Sequence, residues 1–279
     1  MLRLLKIEWN KIFYYKATRT FTILYFLILV VIGVILGNIK PEIGGIKLNI
    51  AKLGTFDFPE IWQNITYLVA IAKIFIAVII ITNITNEYSN RTLKQNLIDG
   101  MSKKEFLSSK VMVNVIFALL SSVFVFGIAL VLGKIFSSSG ENPMKNVEFV
   151  VYYFLKLNLF FSICLFLAIW LRKTAFAFLG LIVLWMGEGA ITLVEVLTRA
   201  WIGTGLENIN PEAFNYTSYL PLNVSSNLIK APRINPEGFV MGGTIFGIRE
   251  TEISYVIAAL IYMLIFTGLS YWLLKKRDL

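Results

Sequence analysis

NEYSNRTLKQNLIDGMSKKEFLSSK, residues 86–110, is a polar and largely basic stretch set between two long apolar runs. Consecutive helices in a bundle are usually joined by only a few residues; here 25 residues of patterned sequence intervene. Leu93, Leu97 and Ile98 have helical apolar spacing, Asp99-Gly100 reads as a turn, and Gly100 suits a positive-φ helix stop. Ser102, followed three residues later by Glu105, matches the capping box that opens a helix. The stretch predicts helix, turn and helix on the water side of a membrane protein, an element suited to touching a partner. A connector resting on lipid headgroups through Lys103 and Lys104 is the other reading these residues allow.

Composition sets the frame around it. The chain has 279 residues, 57% hydrophobic and 15% charged, with mean hydropathy +0.73. Soluble domains carry about 25% charged residues, so the shift points to an integral membrane protein. There is no histidine and one cysteine, Cys164, which lies inside an apolar run and reads as a small buried hydrophobe. Zinc sites, haem ligation by histidine, disulfide frameworks and Cys–His catalysis are therefore not expected.

Six segments approach the ~20 apolar residues a membrane-crossing helix needs: residues 20–37, 62–84, 111–133, 149–170, 175–197 and 253–274. The fold class expected is all-α, one polytopic domain over residues 1–279. If both termini and the 85–110 loop share a side, that side holds fifteen Lys/Arg against five Asp/Glu. The opposite side holds nine against ten. An excess of Lys/Arg marks the cytoplasmic face, so both termini and residues 86–110 are expected inside. Orientation accounts for the net charge of +9, and with no basic soluble region a nucleic-acid partner is not expected.

Residues 1–19 place Leu2, Leu5, Trp9, Ile12 and Phe13 on one helical face, as in an amphipathic helix in the inner interface, with an ordinary positively charged flank of the first span as the other reading. Trp62, Trp170, Tyr271 and Trp272 lie near span ends and fit aromatic belts. Residues 38–61 and 134–148 read as ordinary outer loops. The longer outer segment, 198–252, predicts short, partly embedded helices, one capped at Asn210-Pro211 and one starting at Pro221. Four ionisable residues fall within spans: Lys73, Lys156, Glu188 and Glu195. Such charges face protein or water and find partners. Pairing of Lys73 or Lys156 with Glu188 is expected, with Glu195 solvated at the outer end. A polar lining for a substrate path or proton relay is the functional reading of the same four. Gly187 and Gly189 flank Glu188 and allow close helix approach.

Residues 86–110 resemble the cytoplasmic segment after the second span in ABC-2 type transporter permeases, the membrane subunits of bacterial ABC exporters. The family pattern runs approximately N-E-x-x-x-G-T-x-x-x-x-L-x-x-G-x-x-[RK]-x-x-[FL]. This chain matches at Asn86, Glu87, Thr92, Leu97, Gly100, Lys103 or Lys104, and Phe106, and has Arg91 where glycine is common. The resemblance implies an ATPase-coupling helix built from Asn86, Glu87, Arg91, Thr92, Leu93, Lys94, Asn96, Leu97, Asp99, Gly100, Lys103 and Phe106. It implies two separate ATPase subunits, which bind ATP and Mg, and a second permease copy, as homodimer or heterodimer, in the bacterial inner membrane. No G-x-x-x-x-G-K-[ST] motif occurs in this sequence, so a phosphate-binding loop is expected in the partner and no cofactor or metal in this chain. The rival readings are a secondary carrier using Lys73, Lys156 and Glu188, and, last, a membrane enzyme.

Overall fold

The computed structural model describes residues 2–38, 42–43, 46–47, 55–137, 140–199, 215–234 and 246–277. The predicted helix start at Asn210-Pro211 lies outside them. The fold is all-α, apart from two antiparallel pairs of two-residue strands: β1 (Glu42–Ile43) with β2 (Ile46–Lys47), and β3 (Arg233–Ile234) with β4 (Phe246–Gly247).

Helix α1 (Leu2–Tyr14) is followed, after Tyr15, by α2 (Lys16–Asn38). Next come α3 (Ile61–Val69), one turn of 3-10 helix (Ala70–Ala72) and α4 (Lys73–Ser89). The 86–110 stretch resolves into the end of α4, the short α5 (Thr92–Ile98) and the first two turns of α6 (Lys103–Phe136). Then follow α7 (Glu148–Leu171), α8 (Thr174–Arg199), a 3-10 turn (Tyr216–Tyr219), α9 (Pro221–Asn227) and α10 (Ile253–Lys276). Five helical stretches are long and apolar enough to cross a membrane: Ile61–Ser89, α6, α7, α8 and α10. Among the described side chains, α2 carries a shorter apolar stretch, Thr18–Ile32.

Helix α7 is the centre. Its 24 residues are apolar on all sides, and 67% of its apolar window is buried, against 11% for α8 at the periphery. Helices α4, α6, α8 and α10 all pack on it. Lipid tails are as apolar as these side chains, so packing and hydrogen bonds have to hold such helices together. Tyr25 on α2 meets Tyr153 on α7 through their hydroxyls at 3.1 Å, and Asn114 on α6 donates to the Phe161 carbonyl on α7 at 3.4 Å. Thr85 on α4 and Thr174 on α8 pair at 2.7 Å. Ser121 and Ser122 donate back to carbonyls one turn earlier in α6, the usual way a hydroxyl is satisfied inside a membrane helix.

Two expectations are corrected here. Residues 55–60 are not an ordinary outer loop: Thr55 to Pro59 are buried. Phe56 packs on Phe136, and the Phe58 ring lies 6.1 Å from that of Trp62. Trp62 is accordingly a core residue rather than a belt residue. It is wholly buried, stacked on Phe126 at 5.3 Å, and its indole N–H donates to the Pro143 carbonyl at 2.9 Å. Trp170 and Trp272 are about half exposed, as an interfacial belt requires.

Phe58 also fixes the size of its neighbour on α6. A Cβ on Gly133 would stand 2.3 Å from Phe58 Cζ, whereas one on Gly127 would meet nothing within 4 Å. Because the Phe58 ring is held against Trp62, Gly133→Ala is expected to destabilise the detergent-solubilised protein by about 1–3 kcal/mol, the usual cost of overpacking. Gly127→Ala should leave the thermal midpoint unchanged or raise it. Equal midpoints for the two variants would show that the ring moves freely.

Candidate functional site

The 86–110 element is built from its turns outward. Helix α4 ends at Ser89 with Asn90 as its C-cap, and Arg91 takes a left-handed conformation, φ 56° and ψ 13°, before α5 starts. A non-glycine residue there costs on the order of 1 kcal/mol, which explains physically why glycine suits this position. Helix α5 ends at Asp99-Gly100, with Gly100 at φ 97°. The Ser102 side chain then accepts from the Glu105 backbone N–H at 3.1 Å, and Glu105 accepts from the Ser102 N–H at 2.8 Å, the capping box expected for α6.

The twelve residues proposed for coupling do not all face one way. Arg91, Thr92, Lys94, Asp99 and Gly100 are exposed. Leu93 and Phe106 are buried, and Glu87 with them. Asn86, Asn96, Leu97 and Lys103 lie between. Lys103 is engaged at the C-terminus of α10, donating to the Arg277 carbonyl at 2.9 Å and the Lys275 carbonyl at 3.5 Å. Ile98, whose spacing groups it with Leu93 and Leu97, is instead turned outward and 75% exposed. The exposed end of the element is thus Arg91, Lys94 and Ile98, and its base is apolar and anchored.

That base rests on a cluster of four charges, three of them buried and the fourth, Lys11, partly exposed. Lys110 of α6 is 1% exposed; its ammonium donates to Glu8 of α1 at 2.6 Å and to Glu87 of α4. Lys11 of α1 donates to Glu87 at 3.0 Å and to Glu8 at 3.2 Å. Asn83 adds a donor to Glu8 at 3.3 Å. The four side chains sum to zero charge and tie three helices together at one level. The second oxygen of Glu87 has no hydrogen-bond partner among the described residues, and Glu87 lines a cavity of about 130 Å³ with Lys11, Tyr15, Asn86, Asn90 and Thr92. Burial raises the Glu8 carboxyl, but Lys110 and Lys11 outweigh it and leave it below its ordinary 4.5. Burial lowers the Lys11 ammonium, but Glu87 and Glu8 outweigh it and leave it above its ordinary 10.5. Sequence reasoning missed the cluster, although Glu8 is the one acidic residue before position 42 in an otherwise basic helix.

The intramembrane charges find partners other than those expected. Glu188 is paired with neither lysine among the described residues. It accepts from the backbone N–H groups of Leu222 and Asn223, each at 3.0 Å, at the start of α9. Lys156 sits at the other end of the same helix, 3.4 Å from the Ser226 carbonyl and 3.5 Å from that of Ile229. An acid at the N-terminal end and a base at the C-terminal end both complement the helix dipole. Lys73 lies over the Phe160 ring at 4.5 Å. Glu195 is not simply solvated: it binds Arg199 at 2.6 Å and accepts from the N–H groups of Tyr216 and Thr217. Three of the four charges therefore anchor the outer segment. No Cβ on Gly187 or Gly189 would meet an atom within 4 Å, so neither glycine serves a close approach among the described residues. Beside α9 and α10 lies an outer cavity of about 790 Å³, bordered by Tyr67, Tyr219, Lys230, Arg233, Arg249 and Tyr255.

Fold and site together define a multi-pass α-helical membrane protein with a charge-locked junction at one end of its bundle and a short surface helix standing on it. More narrowly, the chain belongs to the family described as protein of unknown function, DUF2705, which matches residues 49–279. No curated protein matches it.

Two outcomes follow from the cluster. Lys110→Met leaves two buried carboxylates facing Lys11 alone and is expected to cost about 3–5 kcal/mol of stability, with partial recovery on adding Glu87→Gln; thermal unfolding of the three proteins measures both. Glu8 contributes stability fully above its unfolded value near 4.5 and loses it as pH falls through the lower folded value. Lys11 contributes fully below 10.5 and loses it only as pH rises through its higher folded value. The stability gap between wild type and Glu8→Gln should therefore stay constant near neutrality and shrink below pH 4.5. A gap independent of pH down to the acid limit would mean that Glu8 is uncharged in the fold.

Proposed function

We propose that this chain is the membrane subunit of an ATP-driven ABC exporter, with α5 as the helix that docks into a separate ATPase subunit. The observation that carries the reading is the construction of α5. It is a short helix with Arg91, Lys94 and Ile98 exposed on one side and Leu93 buried, and the element meets the Glu8–Lys11–Glu87–Lys110 junction through Thr92, which lines the small cavity with Glu87 and Lys11, and through Phe106, whose ring lies under the Lys110 ammonium. A push on such a helix is delivered to α1, α4 and α6 together. The sequence resemblance of residues 86–110 to ABC-2 permeases supports the same reading, as does the lack of a phosphate-binding motif in this sequence.

In this reading α2 is the first of six spans, both termini and α5 are cytoplasmic, and α1 lies in the inner interface with the half-exposed rings of Trp9 and Phe13 among headgroups. Two ATPases bind ATP and Mg, two permease copies make the pathway, and the outer cavity is where cargo leaves. This chain contributes no catalytic group. The secondary-carrier reading gains little from the geometry, because Glu188 and Lys156 are committed to the two ends of α9.

Affinity purification in mild detergent tests the proposal. An ATPase with a Walker motif is expected to copurify, and Ile98→Asp should reduce its recovery by about tenfold, the effect of losing a central apolar contact of roughly 1.4 kcal/mol, without changing the thermal midpoint. Arg91→Gly separates strain from contact. Relief of about 1 kcal/mol of left-handed strain is offset by about 0.4–1 kcal/mol of added unfolded-state entropy. Its stability should stay near wild type while its ATPase recovery falls. Active transport by a preparation free of any ATPase would overturn the proposal.

A further inference from the structure

Between α2 and α6 the bundle leaves an open, almost wholly apolar groove of about 610 Å³. Phe26, Val30 and Val34 form one wall, and Val123, Gly127 and Val131 the other. The rings of Phe26 and Phe124 meet edge to face at 5.1 Å across its floor. A side chain at Gly127 would enter open space, so the absence of one widens the groove without serving any contact inside the chain. On α2 the groove residues continue a stripe toward the N-terminal end of the helix. Lys16, Arg19, Ile23, Phe26, Val30 and Val34 are spaced by three or four residues and share one face. Lys16 and Arg19 are exposed, and neither side chain makes a hydrogen bond or ion pair among the described residues. Arg19 is seven residues, about 10 Å, below Phe26. A long cationic side chain at that height reaches the headgroup layer while its stem stays on apolar surface.

We infer that this groove is a binding site for an anionic phospholipid, its acyl chain lying against Gly127 between α2 and α6 and its phosphate held by Arg19 and Lys16. Charge selects this occupant. A guanidinium and an ammonium one helical turn apart suit a phosphate. A second copy of the chain packed through the same face by a two-fold axis would instead bring both pairs of cations together. The inference rests on the helices spanning a bilayer, not on ATP-driven transport.

The test uses the full chain in detergent, mixed with phosphatidylglycerol or phosphatidylcholine, with bound lipid and oligomeric state read by native mass spectrometry. Wild type should retain phosphatidylglycerol in preference to phosphatidylcholine. Gly127→Leu, which fills part of the groove and removes van der Waals contacts to the acyl chain, should lower retention of both lipids severalfold. Arg19→Gln should abolish the headgroup preference while phosphatidylcholine retention stays as in wild type. Gly268→Leu, at another glycine with open space around it, should behave as wild type and shows that an added surface leucine is harmless. Equal retention by wild type and Gly127→Leu overturns the site, and an unchanged preference in Arg19→Gln overturns its headgroup half. A Gly127→Leu protein that changes oligomeric state with its lipid intact assigns the groove to a second copy instead.

Discussion

Two carboxylates and the Lys110 ammonium, buried where α1, α4 and α6 converge, with the partly exposed Lys11 closing the cluster, are the constraint on which this end of the bundle depends. Removing such groups from water costs several kcal/mol each, and only close, mutual pairing offsets it. The three helices are therefore not free to slide independently: displacing any one exposes an unpaired charge to an apolar surrounding. Apolar packing alone would be tolerant of small shifts, since one lipid-like contact replaces another. The cluster makes the junction selective for one arrangement. Because α5 stands directly on α4 and leads into α6, its position is inherited from that arrangement.

At the opposite end the same problem is solved with a different partner. Glu188 and Lys156 hold the two ends of α9 rather than each other. Seven residues of helix with aligned peptide dipoles stand between them. Both charges are satisfied, and so are backbone groups at the ends of a short helix that would otherwise lack partners. Gln63 of α3 works alongside, donating to the carbonyls of Lys230 and Arg249 and accepting from the Arg249 N–H. The outer segment is thus tied to α3, α7 and α8 by side chain to backbone bonds, and Leu222, Val224, Leu228 and Ile229 add buried apolar anchors.

What could be read from sequence follows the range of the interactions. Helix starts and stops depend on neighbours, so the Ser102–Glu105 cap, the Gly100 stop and the long apolar helices were legible. The four-charge cluster was not, because Lys11 meets Glu87 across 76 residues and Lys110 meets Glu8 across 102. Glu188, inside an apolar run, has to find a partner, yet that partner is backbone amide, which no residue letter announces. Trp62 carries the signature of a belt residue and becomes core because Phe58, Phe126 and the Pro143 carbonyl close around it. Ile98 shares the spacing of Leu93 and Leu97, but one extra residue turns a side chain by about 100°, enough in a seven-residue helix to carry it off the packed face.

The 3-10 turn at Ala70–Ala72 gives the α3–α4 span a mechanical character. Above it, α3 is pinned by Trp62 and Gln63 to the outer segments; below it, α4 runs 17 residues to Ser89 and carries Glu87 at its far end. A tighter helical turn with poorer hydrogen-bond geometry is the softest place in a long helix. The lower arm is about 25 Å long, so a bend of about 5° at the fulcrum swings its tip by about 2 Å. Leverage of this kind runs in both directions: a small displacement at the Glu87 end becomes a slight rotation at the 3-10 turn, between two helices that both pack on α7.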